Sequence, residues 1–181
     1  LLCVAGVSPQ VITETVYALI RRDPAFVPTE IQVLTTVAGR DKVRSELLNA
    51  GRLDELLADY GHEPESIRLT EPDIHVPLDA EGSPLQDLRN ASDNGTMADM
   101  MLNIVAGLTQ DDDCAVHASI AGGRKTMSYY LGQVMSLCGR TQDVISHVLV
   151  NSPFEGHPQF FYPPPTPQTL VDRNSEAVST D

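Results

Sequence analysis

The chain of 181 residues has no tryptophan, three cysteines and two lysines, Lys42 and Lys125. With 12 Lys and Arg set against 25 Asp and Glu, its net charge of −13 allows no broad basic surface and argues against nonspecific binding of long nucleic acid. Cys3, Cys114 and Cys138 form no CxxC pair and sit among apolar residues, so they read as reduced packing residues. No apolar run approaches the roughly 20 residues that cross a bilayer. Residues 1–6 are too short for a signal peptide and lack its basic flank, so the expectation is a cytoplasmic protein without a membrane span. The five histidines, His62, His75, His117, His147 and His157, show no metal-ligand spacing, and no metal site is expected. No GxGxxG follows a strand, which argues against a dinucleotide cofactor, and no other cofactor is expected. A Walker A loop would need glycine where Ser119 and Arg124 stand, and the nucleophile elbow GxSxG is absent.

What the chain does have is a repeated strand-to-helix rhythm. Hydrophobic residues make up 41%, enough for one substantial core. The central stretch runs from Cys114 to Arg140. Cys114, Val116, Ala118 and Ile120 alternate as in a strand, Ala121-Gly122-Gly123 makes a turn, and helical spacing follows from Arg124 to Cys138. At such a junction the helix start offers unpaired N–H groups and about half a positive charge, and two glycines let a ligand approach the backbone. Arg124 and Lys125 add full charges in the same turn, so the stretch wants an anion. In an acidic chain with two lysines, the position of Lys125 is informative.

Residues 1–7 read as a continuously apolar strand, followed by Ser8 as helix cap and Pro9 in the first helical position. That makes a second anion-binding turn. Residues 31–36 form the next strand, with Thr35 and Thr36 at its end. A long amphipathic helix follows, broken near Gly51, with Arg40, Lys42 and Arg44 at its start. Residues 61–92 are proline-rich and acidic, with short extended pieces at 66–69 and 74–78. Asp93 and Asn94 begin a helix carrying Met97, Met100, Met101, Ile104, Val105 and Leu108; the methionines read as core, and the two polar residues as cap and turn within reach of a base edge or ribose. Residues 144–150 form a last strand, and 152–162 an extended edge. Residues 163–181, opening Pro163-Pro164-Pro165-Thr166-Pro167, read as a proline-rich linker and flexible tail beyond a single domain at 1–162. The alternation predicts an α/β fold with a doubly wound, mostly parallel Rossmann-like sheet. The first strand and the strand ending at Ser119 would be neighbours at its topological switch point, with Ser8 and Lys125 on the lips of one crevice.

SPQVITET after the first strand, HASIAGGRKTM before the last long helix, and SHVLVNSPFE with HPQFFYPP near the end are the motifs that resemble CRISPR-associated proteins with a CARF domain, in particular the single-domain ring nucleases. The resemblance covers residues 1–165. It implies a homodimer whose joined sites bind cyclic oligoadenylate, most often cyclic tetraadenylate, as partner and substrate. It also implies metal-independent cleavage of that ring, which switches off an antiviral response. By position, Ser8 and Gln10 match the first ligand-binding loop, and Ser119, Gly122, Gly123, Arg124, Lys125 and Thr126 match the second. With the flanking Val7, Pro9, Thr35, Asp93, Asn94 and Ala121, these are the candidate ligand-binding residues. Lys125 and Ser8 are the candidate catalytic pair. The alternative is a CARF sensor that binds the ring without cutting it and controls a partner or effector domain.

Overall fold

The computed structural model describes residues 1–171 and 174–180. Five short parallel strands form the sheet: β1 (Leu2–Val4), β2 (Gln32–Leu34), β3 (Ile74–His75), β4 (His117–Ser119) and β5 (Val144–Ser146), in the order β3-β2-β1-β4-β5. The predicted doubly wound α/β fold is therefore observed. β1 lies between β2 and β4, with Leu2 opposite both Gln32 and Ala118. The chain moves outward from β1 to β3, then returns to β4, so the switch point falls between β1 and β4.

The apolar run at the start of the chain is explained by burial on both faces of the sheet. Leu1, Cys3 and Ala5 point into one core, with Ile12 and Val16 of α1 (Gln10–Arg21) and Leu53, Leu56 and Leu57 of α3 (Arg52–Asp59). Leu2 and Val4 point into the other. There α4 (Ala91–Thr109) contributes Met97, Met101 and Val105, and α5 (Lys125–Cys138) contributes Met127, Leu131, Val134 and Met135. Both sets follow the three- and four-residue spacing of a buried helical stripe, and the methionines are core as expected. The helix after β2 begins as α2 (Val37–Val43), continues as a π-helical segment at Arg44–Asn49, and breaks at Gly51, whose φ of +70° suits glycine.

Several expectations need correction. The strand expected over 144–150 is paired only at Val144–Ser146, and 152–162 runs through successive turns with bonds such as His157 N–H to the Phe154 carbonyl, 2.9 Å. The sequence predicts no regular structure after residue 167, yet β6 (Thr169–Val171) and β7 (Ala177–Ser179) form an antiparallel hairpin. The proline segment is tied to the domain through Tyr60, whose hydroxyl donates to the Pro163 carbonyl at 2.6 Å. Parts of the expected tail, 172, 173 and 181, lie outside the described residues. Among the described residues, no helix is long and apolar enough to cross a membrane.

Candidate functional site

Two loops leave the carboxyl edge of the sheet at the switch point, one after β1 and one after β4, and they touch. A Cβ built on Gly6 would lie 3.4 Å from the Gly123 Cα, and one on Gly122 would lie 2.5 Å from the Val4 carbonyl oxygen. Glycine is required at 122 by this contact and at 123 by its φ of +74°. The turn is held from behind by Ser128, whose hydroxyl reaches the carbonyls of Ile120 at 2.9 Å and Gly122 at 3.1 Å. The amides of Gly122 and Gly123 make no hydrogen bond among the described residues. They and the start of α5 are thus available to an anion.

The loops floor a cleft of about 580 Å³ whose walls include Val7, Ser8, Gln10, Ala121, Gly122 and Gly123. Ser8 is exposed, and its hydroxyl has no hydrogen-bond partner among the described residues. This differs from the predicted cap: α1 starts at Gln10, Pro9 takes the cap position, and no side chain caps it. Pro9 itself is buried, and its carbonyl accepts from the Ile12 N–H at 3.0 Å. Gln10 reaches the Pro158 carbonyl through Nε2 at 3.4 Å and leaves Oε1 buried without a partner among the described residues. Lys125 and Thr126 open α5 just after the glycine turn, both exposed and neither among the residues that line the cleft, and the Lys125 ammonium is unpaired among the described residues.

The remaining candidates are placed differently. Arg124 is taken up in a bidentate pair with Asp87, its Nε donating to Oδ1 at 3.0 Å, and neither residue lines the cleft. The pair holds the Asp87 carboxyl below its usual range, chiefly through the hydrogen bond from the guanidinium. The 61–92 excursion, which carried no motif, thus supplies the partner that occupies one of the two expected cations. Thr35 is fully buried and donates to the Ala5 carbonyl at 2.8 Å, tying β2 to β1. Ser119 is buried against Thr15 at 3.1 Å. Since the Thr15 hydroxyl donates to the Val11 carbonyl at 2.6 Å, Ser119 is the donor between them. Asp93 and Asn94 lie in the first turn of α4, capped by Asn90. Asp93 accepts from the Arg89 N–H at 2.8 Å, and Asn94 donates to the Asn90 carbonyl at 2.7 Å. None of these four lines the cleft. Of the basic cluster at α2, Arg40 pairs with Asp41 and Arg44 with Glu71, while the Lys42 ammonium has no partner among the described residues.

A family model described as CRISPR-associated protein NE0113 matches residues 8–180. The chain belongs to this CRISPR-associated family. No curated protein matches the sequence. The NE0113 match begins at Ser8, in the loop after β1, and runs through the α5 turn and the C-terminal hairpin, so the cleft walls fall almost wholly within it.

Two parts of the cleft escaped the sequence reading. The far wall comes from the β5 exit, His147–Asn151, and from Glu155 and Gly156. These residues had only the terminal motif to mark them. The other omission is Glu14, one helical turn beyond Gln10 on the same stripe of α1, at 8% exposure. Its signal was a carboxylate set among Ile12, Thr13, Thr15 and Val16, all of which are buried. Burial pushes the Glu14 carboxyl up to about 7.

Proposed function

We propose that this NE0113-family protein binds cyclic oligoadenylate, with cyclic tetraadenylate the expected ring, and cleaves it without a metal. The carrying observation is the junction of the Ser8 loop and the Gly122-Gly123 turn at the switch point, with Lys125, whose ammonium is unpaired among the described residues, two positions further on at the start of α5. A small ring with four phosphates suits a molecule of net charge −13, because local N–H donors and one cation can hold it without a basic surface. A second copy of the chain would complete a symmetric pocket for a symmetric ring.

In the cleavage step a ribose 2′-oxygen attacks its adjacent phosphorus while the bond from phosphorus to the 5′-oxygen breaks. The 2′-hydroxyl proton leaves to solvent, and the departing 5′-oxygen gains one from solvent. The product is a linear adenylate ending in a 2′,3′-cyclic phosphate. Lys125 would carry the charge developing on the phosphoryl oxygens, with the Gly122 and Gly123 amides assisting, and Ser8 would orient the ribose for in-line attack.

The test mixes purified protein with cyclic tetraadenylate in EDTA and follows it by chromatography. Conversion to linear products is expected, slowed about 10²- to 10³-fold in Lys125→Ala, as for loss of one transition-state donor. A ring that stays intact with protein in excess, yet binds, would turn the reading to a sensor. A Lys125→Ala variant with unchanged rate would remove Lys125 from the chemistry.

A further inference from the structure

Glu14 is an ionisable side chain in the cleft with no partner. The residue is more than nine-tenths buried, and among the described residues its carboxyl makes neither a hydrogen bond nor an ion pair. It also stands where two cavities meet. On one side is the cleft floored by the glycine turns, where the backbone N–H groups of Gly122 and Gly123 lie. On the other is a neighbouring, more apolar cavity of about 540 Å³ that shares Val148, Leu149 and Val150 with the cleft and adds Tyr17 and the stacked pair Phe154 and Phe160. Glu14 lines both.

A nucleotide has this same division, a charged phosphate joined to a flat apolar base with a polar edge. With its phosphate at the glycine turns, the base would enter the apolar cavity and pass Glu14. The Watson–Crick edge of adenine carries an acceptor, N1, beside a donor, the 6-amino group. A protonated carboxyl offers the complement, an O–H beside a carbonyl, whereas a carboxylate offers acceptors only. We propose that Glu14, in its protonated form, recognises the Watson–Crick edge of an adenine housed in the apolar cavity. This rests on reading the cleft as a cyclic oligoadenylate site, and it adds the group that selects the base.

The protonated form is available near neutral pH because burial raises the Glu14 carboxyl to about 7. The other titratable groups facing it are Tyr17 on its own helix, His147 at the β5 exit and Glu155 beyond it; the glycine-turn residues on the cleft wall carry none. Ligand binds the protonated state, so affinity is full below pH 7 and is lost as pH rises through it.

The experiment measures binding of a ring built from 2′-deoxyriboses, which cannot be cleaved, to the whole chain between pH 5.5 and 8.5. For wild type the Kd should rise on the order of tenfold per pH unit above 7, the slope for one linked proton. Glu14→Gln keeps a donor beside an acceptor, so it should bind tightly at every pH. Glu14→Ala should bind about ten- to a hundredfold more weakly at pH 6, the worth of one bidentate base contact. A pH slope that persists in Glu14→Gln belongs to another group, such as His147, and overturns the assignment. So does equal binding by wild type and Glu14→Ala at pH 6. Absence of binding by wild type at every pH would instead overturn the ring reading, and this inference with it.

Discussion

Replacing Gly122 with alanine tests the contact on which the cleft depends. The added Cβ would sit 2.5 Å from the Val4 carbonyl oxygen, 2.8 Å from Val11 Cγ2 and 3.3 Å from the Ala5 Cα. Two of those three atoms are backbone of the central strand and its exit, which is paired on both sides and cannot yield. Overpacking of this kind costs about 1–3 kcal/mol, and the immobile neighbours place Gly122→Ala at the upper end. Reduced freedom of the unfolded chain returns about 0.4–1 kcal/mol, leaving a net loss of about 2 kcal/mol. Gly123→Ala must hold a φ of +74°, at a cost of about 1–2 kcal/mol, but its nearest neighbour is the flexible tip of Met127. Gly95, inside α4 with nothing within 4 Å, provides the opposite sign: alanine there should stabilise by about 0.5–1 kcal/mol. Urea unfolding of the three variants, with m-values unchanged, reads the order directly. A Gly122→Ala midpoint equal to wild type would mean that the α5 turn does not rest on β1, and the cleft would be wrongly assembled.

Glu14 also links stability to pH. Its folded pKa is raised above the ordinary 4.5 to about 7, so the stability it contributes is complete below pH 4.5 and is lost as pH rises through 7. Glu14→Gln should therefore raise the urea midpoint relative to wild type at pH 8 and leave the difference near zero at pH 4; equal differences at both would refute a buried titrating carboxyl. Cys3 is 1% exposed and its thiol is pushed up to about 12 by burial, whereas Cys114 and Cys138 are partly exposed. A chromogenic disulfide reagent should count two thiols in the native protein and the third only in denaturant. Asp87→Asn should scarcely move the urea midpoint, since the pair with Arg124 is exposed, yet it should tighten ring binding by freeing the guanidinium; weaker binding would show that the pair positions the turn.

Much of the fold was legible because its signals are local. The unbroken apolar run of β1 requires cover on both faces, and the four-residue spacing of Met97, Met101 and Val105 requires a helix packed on one side. The hairpin at 169–179 was not legible. Its strands are three residues long and largely exposed, so no alternation of buried and solvated positions marks them.

The sequence by itself determined the two glycine- and proline-punctuated turns, their attachment to parallel strands, and the cation that opens α5, since each depends on residues a few positions apart. Only the tertiary structure decided which side chains remain available. Arg124 is taken up by Asp87, 37 residues away, and Thr35 is spent on Ala5 across the sheet. Glu14 is left alone at the junction of two cavities. The physical reason is that the reactivity of a polar group depends on its partners and its access to water. Both are set by chain segments distant in sequence that meet when the sheet closes.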